Sequence, residues 1–116
     1  MKKLREMLQD RTSTTIEFLK NVQQAVRTVV PEADVILYGS RARGDARPVS
    51  DWDFLILVER PVSWGLVQTV RNSLYDLELQ TDRVISSIVR TRQEWNSPKY
   101  SVMPFRKEVE RDGVIL

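Results

Sequence analysis

Residues 38–59 contain the side chains of this sequence that could do chemistry together. Gly39 and Ser40 follow a short apolar run, and the carboxylates Asp51 and Asp53 stand at the start of the next one. Ten residues separate Ser40 from Asp51, enough for a short helix and loop that join the end of one strand to the start of its neighbour. A glycine allows close approach of the backbone to a ligand, and paired carboxylates supply the oxygen ligands that Mg²⁺ prefers. The segment therefore predicts a site for a metal-bound nucleoside triphosphate.

The spacing of the two acids supports a metal site. Alternation along a strand places Asp51 and Asp53 on one side and turns Trp52 to the other. Two carboxylates that lie close together repel each other and raise a pKa unless a cation sits between them. We therefore expect Asp51 and Asp53 to bind the metal.

Basic residues surround the Gly-Ser turn. Arg41, Arg43 and Arg47 lie beside it in the sequence. A helix that begins here would direct its free N–H groups toward the phosphates. We expect Gly39, Ser40, Arg41 and Arg43 to bind the nucleotide, and we place less weight on Arg47.

Other phosphate and catalytic motifs fit poorly. Gly39 and Gly44 have the spacing of a P-loop, but Asp45 and Ala46 follow where that motif requires Lys and Ser or Thr. The chain has no His and no Cys, which excludes a Ser-His-Asp triad, a Cys-His pair, a zinc finger and disulfides.

Length and composition limit the number of domains and the kind of protein. The 116 residues, 41% of them hydrophobic, suffice for one domain over residues 1–116 but are too few for two ordinary ones. A net charge of +2 is far from that of a dedicated nucleic-acid binder. The charged first ten residues contain no signal peptide core, and no run of 18 apolar residues is present. We therefore expect a cytoplasmic protein without a membrane span.

Hydrophobic spacing predicts alternating helices and strands. A helix over residues 14–30 begins with a capping box of Thr14 and Glu17, and a second helix follows an N-cap at Ser63. The predicted strands cover residues 35–38, 54–58 and 84–89, a loop covers 96–104, and a short helix covers 105–112. This order predicts a small α/β (α+β) domain with a mixed sheet flanked by helices.

Two tryptophans and one apolar stripe are assigned to packing. The stripe from Trp64 to Leu77 has helical spacing and is expected to face the core. Trp64 and Trp95 are expected to be packing residues rather than platforms for a base.

The spacing of Gly39-Ser40 and Asp51-Trp52-Asp53 resembles the signature of the polymerase-β-like nucleotidyltransferases, in particular their minimal bacterial and archaeal domains. The sequence Arg41-Ala-Arg-Gly-Asp and the ending Glu110-Arg-Asp-Gly-Val-Ile-Leu extend the likeness. The resemblance implies that Gly39 and Ser40 hold the triphosphate and that Asp51 and Asp53 hold two Mg²⁺ ions.

One part of the family pattern is missing. The resemblance implies a third carboxylate on the next strand, but that strand contains Ser86 and Ser87 where an acid is expected. The nearest acids in the sequence lie upstream, at Asp76, Glu78 and Asp82. The sequence does not show which of them, if any, completes the site.

The resemblance implies transfer of a nucleoside monophosphate from an NTP, expected to be ATP, to an acceptor hydroxyl. It further implies a role as the antitoxin of a toxin-antitoxin pair with a HEPN-domain partner that accepts the nucleotide. The missing acid leaves a second hypothesis open, an inactive module that binds nucleotide or a partner. A third hypothesis, a nucleic-acid-binding accessory subunit, fits the basic pI but lacks a stripe of aromatic and basic residues.

Overall fold

The computed structural model describes residues 1–7 and 12–116. The last part of the charged N-terminal segment, residues 8–10, lies outside the described residues. Five strands form one sheet in the order β1-β5-β2-β3-β4. The strands are β1 (Lys2–Lys3), β2 (Asp34–Tyr38), β3 (Trp52–Val58), β4 (Ile85–Thr91) and β5 (Val114–Ile115). The helices are α1 (Leu4–Met7), α2 (Ser13–Val29), α3 (Ser40–Arg43), α4 (Trp64–Thr81), α5 (Arg92–Trp95), α6 (Pro98–Ser101) and α7 (Pro104–Asp112).

The central strands determine where the loop with the candidate site lies. β2 and β3 pair antiparallel, so the chain between them returns at one end of the sheet. β3 and β4 pair parallel and are joined through α4. The sheet is therefore mixed and flanked by helices, as the sequence predicts.

The continuous apolar run of β3 is buried on both faces, which confirms its assignment as a covered strand. Phe54, Ile56 and Val58 pack into the core under α2 and α4. Leu55 and Leu57 pack on the other face, against α5 and α7. Because side chains alternate along a strand, Asp53 lies on the same face as Leu55 and Leu57.

The two longest helices are present as predicted, but the N-cap of the first differs. α2 is capped by Thr12, whose hydroxyl accepts from the Thr15 N–H, so the predicted capping box at Thr14 is wrong. α4 is capped by Ser63 as expected and buries Val70 and Leu74.

The two tryptophans have different surroundings. Trp95 is buried against α6 and α7, which confirms its packing role. Trp64 is 73% exposed, so its assignment to the core is wrong. It stands at the first position of α4.

Some local structure was not expected. Residues 96–104, predicted as a loop, contain the helix α6, which is capped by Ser97 and begins with Pro98. The predicted last helix is present as α7 and ends at Gly113. None of the described helices is long and apolar enough to cross a membrane.

Candidate active site

The pairing of β2 with β3 brings the Gly-Ser turn against the acidic pair. Tyr38 lies opposite Asp53 in the antiparallel register, and Gly39 follows directly. A Cβ added at Gly39 would lie 2.7 Å from Oδ2 of Asp53. The backbone of the turn therefore contacts the carboxylate itself, with no room for a side chain between them.

Gly39 also has a conformation that favours glycine. Its φ of 76° and ψ of −159° lie in a region that is almost restricted to this residue. Gly39 precedes the single turn of α3, and its carbonyl accepts from the N–H groups of Ala42 and Arg43. The turn is closed by Gly44, which has a φ of 86° and donates to the Ser40 carbonyl.

The two acids form an electrostatically unfavourable pair. Asp53 is half-buried, and its pKa is raised above the ordinary value first by burial, then by the charges of Asp51 and Glu108. Asp51 is exposed just before β3. A bound cation would remove the repulsion between the two carboxylates, so the pair fits a hard divalent metal through its oxygen atoms.

Strand β4 supplies no acid at this site. The parallel register places Ser86 beside Asp53 and Ser87 beside Phe54. Because neighbours in register share a face, Ser86 occupies the position where the third carboxylate is expected. No three Asp, Glu, His or Cys side chains in the described residues are grouped closely enough to hold a metal ion.

The three upstream acids differ in their position. Glu78 lines a groove between α4 and β4 together with Ser86 and Ser87. Asp82 caps the C-terminus of α4 with a φ of 54°, and Asp76 is exposed on α4. Glu78 thus shares this groove with Ser86, and Asp76 and Asp82 are not among the described residues that line it.

The sequence analysis missed a further acid near Asp53. Glu108 of α7 raises the pKa of both Asp53 and Tyr38. Its Oε1 lies 3.2 Å from Nη1 of Arg43, so an ion pair joins α7 to α3. The sequence carries no signal for this contact, because it depends on the packing of α7 on β2 through the edge-to-face pair of Tyr38 and Phe105.

Tyr38 provides a neutral phenol beside the acids. Burial, followed by the charges of Asp53 and Glu108, raises its pKa to about 12. Its hydroxyl therefore keeps its proton at neutral pH and can donate a hydrogen bond.

The two arginines of the turn have different roles in this conformation. Arg43 pairs with Asp45 and Glu108 on the side of Asp53. Arg41 donates to the carbonyls of Pro48 and Ser50 and lies 4.6 Å over the ring of Trp52. A contact between Arg41 and a phosphate would require these bonds to the loop to open.

Comparison with known proteins agrees with the fold and shows the family. The model of the nucleotidyltransferase domain family matches residues 17–113, and the chain belongs to this family. None of the curated proteins matches the chain. Among solved structures, one described as "Crystal structure of the toxin-antitoxin with AMP-PNP" has a TM-score of 0.59 at 14% identity. The match covers 83% of this chain and 69% of that one. At this identity the likeness supports the fold, which is that of a nucleotidyltransferase.

Proposed function

We propose that the protein transfers a nucleoside monophosphate from Mg-ATP to a hydroxyl group of a partner protein, with release of pyrophosphate. The observation that carries the proposal is the contact between the Gly39 backbone and the Asp53 carboxylate. It brings a turn suited to phosphates and a pair of acids suited to metal ions within a few ångströms of each other. Membership of the nucleotidyltransferase domain family supports the reaction class.

Each residue of the site has a proposed task. Gly39 and Ser40 would hold the triphosphate through the backbone and the hydroxyl, and Arg43 would offer a guanidinium to a phosphate oxygen. Arg41 would hold the loop that leads to Asp51, and it reaches a phosphate only if that loop opens. Asp51 and Asp53 would hold two Mg²⁺ ions.

The transfer would be a single displacement at the α-phosphorus. The acceptor oxygen forms the new bond, the bond to pyrophosphate breaks, and the hydroxyl proton leaves. Bound Mg²⁺ would supply neutralisation of the phosphate charge and a lower pKa for the attacking hydroxyl. The chain itself aligns the turn and the acids, and catalysis of this kind depends mainly on such positioning and on charge stabilisation.

The partner is proposed to be the toxin of a toxin-antitoxin pair, of the HEPN type. One finding supports the toxin-antitoxin assignment. A matching structure is described as a toxin-antitoxin with AMP-PNP, an ATP analogue. The HEPN type of the partner is what the resemblance of the site motif implies. In this role the transfer would modify the toxin.

A second function is favoured by one observation. Ser86 stands beside Asp53 where an acid is expected, and a site with two carboxylates could bind Mg-ATP without turnover. In that case the protein would be a nucleotide- or partner-binding module.

The test distinguishes the two functions. The protein and its co-expressed partner are incubated with ATP labelled at either the α- or the γ-phosphate. Nucleotide transfer labels the partner only from the α-position, whereas a binding module labels it from neither. Label from the γ-position would show phosphate transfer and contradict both proposals.

The same assay tests the upstream acids. Glu78→Gln should slow transfer by a large factor if Glu78 replaces the missing carboxylate, while Asp76→Asn and Asp82→Asn serve as matched controls on the same helix. Full transfer by all three variants would show that two carboxylates suffice.

A further inference from the structure

The outer edge of β4 is open to another strand. β4 is the last strand of the sheet and is seven residues long. Within residues 1–7 and 12–116, no strand pairs with its outer side. The strand contains no proline, and natural proteins usually block such an edge because its free N–H and C=O groups pair with other chains.

A groove runs beside this edge. Its volume is about 350 Å³, and it is lined by Arg71, Tyr75 and Glu78 of α4 and by Ser86 and Ser87 of β4. Arg71, Tyr75 and Glu78 are three or four residues apart, so they form one stripe along the helix. The stripe lies directly over the strand edge.

The stripe and its surroundings are partly apolar. Tyr75 is 58% exposed, and the neighbouring Leu79 and Val84 are also exposed. Large exposed apolar side chains that adjoin an open strand edge are typical of an interaction surface.

We propose that this surface, formed by β4 and the α4 stripe of Arg71, Tyr75 and Glu78, is a dimer interface between two copies of the chain. A two-fold axis perpendicular to the sheet would pair the β4 strands antiparallel and form a continuous ten-stranded sheet from two sheets of five strands each. The same axis keeps both α4 helices on one face and makes them antiparallel.

The charges of the stripe are complementary under this symmetry. Arg71 and Glu78 are separated by seven residues, about two helical turns, with Tyr75 near the midpoint. Antiparallel helices related by an axis at Tyr75 bring each Arg71 against Glu78 of the second copy. A two-fold interface must match itself in this way.

The described residues supply no ion-pair partner for these two charged side chains. In the described part of the structure, neither Arg71 nor Glu78 forms an ion pair. This contrasts with Arg43, Arg92 and Arg106, each of which pairs with an acid of its own chain. At the axis, the two Tyr75 rings would meet as aromatic anchors at the centre of the interface.

Sedimentation of the purified chain over a range of concentrations tests the proposal. The wild type should form a dimer, and Arg71→Glu and Glu78→Arg should each weaken it by roughly tenfold, since each creates two like-charge contacts. The double variant Arg71→Glu, Glu78→Arg should restore the dimer. Lys107→Glu, on α7 and away from β4, is the matched charge reversal and should change nothing.

Three results would overturn the interface. The first is a wild type that is monomeric at all concentrations, and the second is a dimer that the single charge reversals leave intact. The third is a double variant that dimerises no more tightly than the single variants. A monomer that binds only the partner protein would assign the β4 edge to that partner instead.

Crosslinking gives an independent readout. The chain has no cysteine, so Tyr75→Cys introduces a single thiol at the proposed axis. A short thiol-specific crosslinker should join two copies of this variant but not of Lys107→Cys. Equal crosslinking of the two variants would contradict an axis at Tyr75.

Discussion

The carboxylates at the two ends of β3 differ in their charge partners. At the end where β3 finishes, Arg92 binds Asp34 of β2, Glu59 and the carbonyl of Glu32. At the other end, neither Asp51 nor Asp53 has a cationic partner among the described residues, and Asp51 raises the pKa of Asp53. Acids that stabilise the fold are paired with arginine, whereas these two repel each other. The comparison favours the second end as the place where a cation would bind.

Replacement of Gly39 should have the largest effect on stability and nucleotide binding at the end of β3 that carries Asp51 and Asp53. Gly39→Ala adds a Cβ at 2.7 Å from Asp53 and places alanine at a φ of +76°. The strained backbone and the displaced carboxylate should lower the free energy of unfolding by on the order of 3 kcal/mol and abolish nucleotide binding. Chemical denaturation and calorimetric titration with Mg-ATP measure the two effects.

Gly65→Ala is the matched control. Gly65 lies in α4, and among the described residues its added Cβ would meet one atom within 4 Å, Oγ of Ser63 at 3.8 Å. This variant should be more stable by about 0.5–1 kcal/mol, because alanine favours helix. Equal losses in the two variants would show that the contact with Asp53 is unimportant.

Loss of Arg92 at the opposite end of β3 should lower stability without affecting nucleotide binding. Arg92→Met removes charge-assisted hydrogen bonds from a partly buried side chain and should cost about 1.5–3 kcal/mol of stability. The melting shift produced by Mg-ATP should persist in this variant. Loss of that shift in a folded Arg92→Met protein would mean that the two ends are not functionally separate.

The central strands, the two long helices and the position of the acidic pair could be predicted from the sequence. The continuous apolar run of β3 and the helical spacing of α2 and α4 are local patterns, and adjacency of β2 and β3 follows from the short connection between them. The pairing of β1 with β5 could not be predicted, because strands of two residues carry too little hydrophobic pattern. Glu108 reaches Asp53 only through tertiary packing of α7. Trp64 was misassigned because spacing alone does not show where a helix begins to contact the sheet.

Adding the missing carboxylate on β4 should increase the rate of nucleotide transfer. Ser86→Asp places a carboxylate beside Asp53 in the register of β4. If the third ligand limits turnover, transfer of α-labelled nucleotide should rise by about tenfold or more, since the acceptor hydroxyl would then lose its proton more readily. Ser87→Asp, which faces α4, should give no such gain. A Ser86→Asp protein that binds Mg²⁺ no better than the wild type would contradict the position assigned to the third ligand.

Glu108 should have the smallest effect. Burial, Asp51 and Glu108 all raise the pKa of Asp53, so Glu108→Gln should lower that pKa in the metal-free protein. A carboxyl with a raised folded-state pKa contributes stability below its unfolded pKa and loses it as pH rises through the folded value. The loss should therefore be complete at a lower pH in the variant. Titration of the Asp53 carboxyl by carbon NMR measures its pKa, and Glu110→Gln on the same helix is the control. An unchanged Asp53 pKa in Glu108→Gln would argue against the electrostatic effect of Glu108 on Asp53.

The central claim is that Asp51 and Asp53 hold the metal that brings the nucleotide to the Gly-Ser turn. Its most direct test is the melting temperature of the wild type and of Asp51→Asn, Asp53→Asn, with ATP in the presence and absence of Mg²⁺. At a hundredfold excess of ligand over its dissociation constant, binding should stabilise the wild type by about 2.7 kcal/mol, and the shift should require Mg²⁺. The double variant should fold and show no Mg²⁺-dependent shift. A double variant with the wild-type shift would contradict the metal site.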